Sequence, residues 1–83
     1  MVTKEFIRDL ISAAIECTHL DVRGDDGQHF DATIVSARFE GKSRVQRHQM
    51  VYAALGEHMR EAIHALSFKT MTPSEYQQLS SQR

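Results

Sequence analysis

The chain has 83 residues, enough for one small domain and too few for two, so any function rests on a single modest core with little room for a buried catalytic cleft. Ten Lys+Arg against eleven Asp+Glu give a net charge of −1, which excludes bulk electrostatics as a basis for nucleic-acid or membrane binding and leaves only a local patch. The single cysteine, Cys17, forbids an intramolecular disulfide and, with no signal-like or membrane-spanning apolar run, points to a cytoplasmic protein that does not engage a membrane.

Phe6, Ile7, Leu10, Ile11, Ala14 and Ile15 share a helical face, and Thr3 is suited to cap it, so the spacing predicts a first helix ending near Cys17. Two strand-like runs follow, His19 to Arg23 and Phe30 to Ser36. The connection Gly24-Asp25-Asp26-Gly27-Gln28-His29 between them has the composition of a hairpin loop. Phe30, Ala32, Ile34 and Ser36 alternate with Asp31, Thr33 and Val35, as in a sheet with one well-covered face.

Past Gly41, Ser43 can cap a second helix with Val45, His48, Val51 or Tyr52, Leu55 and Met59 along one stripe, weakened but not ended by Gly56. The run from Ile63 to Lys69 reads as a third strand. Thr72-Pro73-Ser74-Glu75 has the cap, N1 proline and capping-box acid of a short closing helix, with a polar, frayed tail over residues 80–83. The order is α-β-β-α-β-α, an α+β fold whose simplest packing puts the helices on one face of a three-stranded mixed sheet.

Lys42, Arg44, Arg47 and His48 cluster at the start of the second helix, and no acid occurs between Glu40 and Glu57. Cations in a first helical turn oppose the macrodipole, which suggests an anion or partner site; a merely solvated helix end is the alternative. Gly24 to Gly27 spell G-x-x-G, but the loop joins two strands and carries two carboxylates, unlike the phosphate clamp of KH nucleic-acid domains. The five histidines form no recognised metal-binding pair. His64, at the start of an apolar strand, is either a packed residue at the core edge or a ligand at the sheet rim. Cys17 is read as a small packing residue. No nucleophile-and-base signature argues for an enzyme.

The stretches Phe39-Glu40-Gly41-Lys42-Ser43, Arg47-His48-Gln49-Met50-Val51-Tyr52, Ile63-His64-Ala65-Leu66-Ser67-Phe68-Lys69-Thr70 and Thr72-Pro73-Ser74-Glu75-Tyr76 resemble the BolA-like family, and the short loop resembles its IbaG-type branch. The resemblance covers essentially the whole chain. It implies a class II KH-like fold and a partnership with a monothiol glutaredoxin and glutathione across a shared [2Fe-2S] cluster, with none expected in the isolated chain. It also implies His64 as a cluster ligand. A second ligand comes from the hairpin loop in that family; here the loop has no cysteine, Asp26 stands where one is expected, and His29 is the nitrogen donor available. DNA binding through Lys42, Arg44, Arg47 and His48 is the other role the resemblance implies. Alone, the chain is expected to be a monomer or weak homodimer.

Overall fold

The computed structural model describes residues 2–60 and 63–81. Its elements are α1 (Lys4–Ala14), β1 (His19–Arg23), β2 (Phe30–Val35), α2 (Arg44–Leu55), β3 (Leu66–Met71) and α3 (Pro73–Ser81), with 3-10 turns at Ala37–Phe39, Gly56–Met59 and Ile63–Ala65. The sheet order is β1-β2-β3: β1 pairs antiparallel with β2, and β2 runs parallel to β3. The α+β architecture with three helices and a three-stranded mixed sheet is the one the sequence predicts.

Thr3 caps α1 by accepting the Phe6 N–H at 3.1 Å, and the helix turns Ile7 and Ile11 into the core. It stops at Ala14, three residues before the expected end. Ile15 is already extended (φ −127°), and the Thr18 N–H already donates to the Val35 carbonyl, so residues 15–17 are all the chain has to reach the sheet. The Cys17 thiol donates to the Ile15 carbonyl at 3.3 Å, and partial burial raises its pKa, which disfavours the nucleophilic thiolate.

Register settles which residues share a face. Leu20 and Val22 pair with Ile34 and Ala32, and Phe30, Ala32 and Ile34 pair with Leu66, Phe68 and Thr70. These residues face α1 and α2, where Ile7, Ile11, Ile15, Val51, Leu55, Met59 and Phe39 complete the apolar core. Val35 is fully buried yet belongs to the opposite face, in register with His19 and Met71. On that face Tyr76 of α3 stacks on His19, with ring centroids 4.7 Å apart. The helices are therefore not all on one face: α1 and α2 cover one side, and α3 folds against the end of the other.

α2 has a complete capping box, the Gln46 N–H donating to Ser43 Oγ at 3.2 Å and the Ser43 N–H to Gln46 Oε1 at 2.8 Å. Val51 and Leu55 are buried from it, but Val45, expected on the same stripe, is 66% exposed. Gly56 ends the helix outright: its φ of +58° is a conformation that glycine adopts freely, and Met59 reaches the core from the 3-10 turn that follows.

The third strand starts and ends later than the sequence suggests. Its first partner, Phe30, lies opposite Leu66, so Ile63–Ala65 precede the sheet and form a 3-10 turn; pairing continues to Met71 opposite Val35. Thr72 and Glu75 close the predicted capping box, with the Glu75 N–H donating to Thr72 Oγ1 at 3.2 Å and the Thr72 N–H to Glu75 Oε1 at 2.9 Å. Ser80 and Ser81, expected to fray, are helical, and residues 82 and 83 lie outside the described residues.

Candidate functional site

Two places in the fold gather the residues singled out from sequence. The first is the rim where β2 and β3 begin. Because these strands are parallel and Phe30 pairs with Leu66, His29 (one residue before Phe30) and His64 (two before Leu66) come to the same end of adjacent strands. Both are exposed, and His64 sits in the 3-10 turn, not within the strand.

Asp26 organises the loop side of this rim. Its Oδ1 accepts the N–H groups of Gln28 and His29, at 2.9 and 2.8 Å, and its Oδ2 lies 3.0 Å from His29 Nδ1. The His29 and Gln28 backbone bonds, reinforced by the His29 ring, hold the Asp26 carboxyl well below the usual range. An ionised carboxylate only accepts, so the Nδ1 proton sits between the two, and in the neutral imidazole the Nε2 lone pair is then left free. Asp26 thus shapes the loop and orients His29. The G-x-x-G of residues 24–27 is a turn between antiparallel strands, as its carboxylates suggested.

The second place is a groove of about 470 Å³ between the start of α2 and β3. Lys42, Arg44, Arg47 and His48, the four residues of the basic cluster, all line it, joined by Phe68, Lys69, Thr70 and Glu75. The 3.6-residue helical period aligns Arg44, His48 and Tyr52 in one row. The His48 and Tyr52 rings both rest on Phe68, at 4.6 and 5.5 Å between centroids. Phe39, the other aromatic of this region, is fully buried and offers no stacking surface. Lys42, Arg44 and Lys69 form no ion pair with a described residue, whereas Arg47 is paired with Glu75, Nη1 donating to Oε1 at 2.8 Å.

Sequence reasoning missed two groove members. Lys69 reads from sequence as a strand residue and Glu75 as a helix cap, and neither pattern points to this groove. The pairing of Glu75 with Arg47, 28 residues away, joins the start of α3 to the start of α2, which no local pattern reveals.

The chain matches the family described as BolA-like protein over residues 11–75. It belongs to the BolA-like family. The BolA-like chain is 44% identical over 80 residues to Protein BOLA2 of Arabidopsis thaliana, covering 92% of this chain and 85% of that one. It is 38% identical over 76 residues to the DNA-binding transcriptional regulator BolA of Haemophilus influenzae, covering 90% and 73%. A structure of a BolA homologue from Coxiella burnetii superposes with a TM-score of 0.77 at 44% identity, covering 93% of this chain and 99% of that one. The chain spans about 60% of the length of the bovine and human BolA-like protein 1. It matches only 16% of the chloroplastic/mitochondrial SufE-like protein 1 of Arabidopsis, at 46% identity over 61 residues and 69% of this chain. Among the described residues no helix is long and apolar enough to cross a membrane.

Proposed function

We propose that this BolA-like protein is a non-enzymatic adaptor that pairs with a monothiol glutaredoxin and glutathione to bind or transfer a [2Fe-2S] cluster, with His64 and His29 as its own ligands. The observation carrying the reading is the parallel β2–β3 register, which brings two exposed imidazoles to one rim. Their chemistry fits the group: iron-sulfur centres accept imidazole in place of thiolate, with a raised potential, whereas a carboxylate is a harder and poorer match. Asp26 supports His29 in the way that carboxylates orient metal-bound histidines. Membership of the BolA-like family adds to the case.

The test is to mix the protein with a monothiol glutaredoxin, glutathione, iron and sulfide and record the visible circular dichroism of the isolated heterodimer. A cluster spectrum that changes with His64→Ala, and again with His29→Ala, is the expected result. A His64→Ala complex holding the same cluster with an unchanged spectrum would overturn the assignment.

The basic groove favours a second role, binding DNA through its phosphates. Lys42, Arg44 and Lys69 are unpaired among the described residues, and a Haemophilus relative is named as a DNA-binding regulator. Each phosphate contact adds about 0.9 to the slope of log affinity against log salt. Replacing Lys42 and Arg44 by alanine should therefore flatten that slope by about two; an unchanged slope would remove the groove from DNA binding.

A further inference from the structure

Among the described cations lining the groove, Arg47 is the one whose donors are already engaged. Its Nε donates to the Lys42 carbonyl at 3.0 Å, and Nη1 and Nη2 donate to the two Glu75 oxygens at 2.8 and 3.4 Å. The Glu75 carboxylate has a second task, accepting the Thr72 N–H that closes the α3 capping box. One carboxylate thus occupies the most buried guanidinium of the groove and also fixes the start of α3, the helix whose Tyr76 stacks on His19 across the sheet. Two carboxylate oxygens on a guanidinium fork present the same acceptor pattern as two oxygens of a phosphate.

We propose that Glu75 is an internal occupant of a phosphate site in the α2–β3 groove, and that a DNA backbone phosphate displaces it from Arg47 and thereby loosens α3. The proposal rests on the nucleic-acid reading of the groove. Carboxylate and phosphate compete for the same donors, so each weakens the other's hold. By linkage, DNA favours the loosened α3 by the same factor by which a loosened α3 favours DNA. The device turns occupancy on one side of the sheet into exposure of His19, on which Tyr76 stacks, on the other.

The experiment follows binding of a labelled short DNA duplex to the full chain by anisotropy, and amide hydrogen exchange over residues 73–81 with and without that duplex. Glu75→Gln keeps a side-chain oxygen for the Thr72 N–H but gives up the charge on Arg47. Glu40→Gln, an exposed position two residues from Lys42, makes the same charge change without touching Arg47. DNA should speed exchange of α3 in the unmodified protein and in Glu40→Gln. Glu75→Gln should bind about fivefold tighter, the fold-change matching the ~1 kcal/mol of a favourable exposed ion pair, with α3 already fast and unaffected by DNA. DNA binding that leaves α3 exchange unchanged in the unmodified protein would overturn the displacement while leaving the DNA reading standing. No binding by either the unmodified protein or Glu75→Gln would overturn both.

Discussion

Single residues in the β1–β2 loop decide whether the rim is built. Gly24 needs to be glycine for space, not for its backbone angles: a Cβ there would collide with the Phe30 ring, coming within 2.6 Å of Cε1. Phe30 is a core residue adjoining His29, so Gly24→Ala should destabilise the fold by about 1–3 kcal/mol through overpacking, read as a lower urea midpoint. Asp26 acts differently, through charge. Its carboxyl titrates below the ordinary value of 3.8, so its contribution to the loop is complete above pH 3.8 and is lost as pH falls through the depressed value. Amides of Gln28 and His29 should therefore remain protected from exchange at pH 4 and lose protection in Asp26→Ala at any pH; equal exchange in the two proteins would show that Asp26 does not hold the loop. From sequence, Asp26 stands out as one of two loop carboxylates and as the residue in place of an expected cysteine. Its three hydrogen bonds explain why it is there, and they could not be read from composition because they depend on how the turn closes.

At the scale of elements, what was legible followed from local chemistry. Thr3, Ser43 and Thr72 cap the helices as their spacing implied, since a capping side chain bonds only to backbone within its own first turn. The misplaced boundaries have a different origin. The end of α1, the offset of β3 and the end of β2 at Val35 are set by strand register between segments far apart in sequence. Ser36, counted as a last strand residue, shows this most clearly. Its buried hydroxyl donates to the Glu16 carbonyl at 2.6 Å and accepts the Arg38 N–H at 3.0 Å, tying the exit of α1 to the turn that carries Phe39. Ser36→Ala removes both bonds from a fully buried side chain, so it should cost about 1–3 kcal/mol, whereas Ser43→Ala at an exposed cap should cost about 1 kcal/mol. Denaturant midpoints order the two variants, and an equal or reversed order would count against Ser36 as the tie.

For the molecule as a whole, the sheet keeps the two candidate sites apart. The histidine rim precedes Leu66, while Phe68, Lys69 and Thr70 of the groove lie two to four residues beyond it, about 7–13 Å further at a rise of ~3.3 Å per residue. Both sites adjoin β3, yet the rim lies just before the starts of β2 and β3, and the groove uses the start of α2, which the chain reaches only after crossing to the other end of the sheet. The sequence brought each set of residues into view, but only the parallel pairing of β2 with β3 shows that His29 joins His64 and that the basic cluster does not. Residues this far apart with no shared partner act almost independently, with interaction energies of about 0.5 kcal/mol or less. His64→Ala should therefore leave DNA affinity within about twofold of the unmodified protein, and Arg44→Ala should leave the cluster spectrum of the glutaredoxin complex unchanged. A large loss of DNA affinity in His64→Ala would instead mean that the rim and the groove form one continuous surface, with a single ligand covering both.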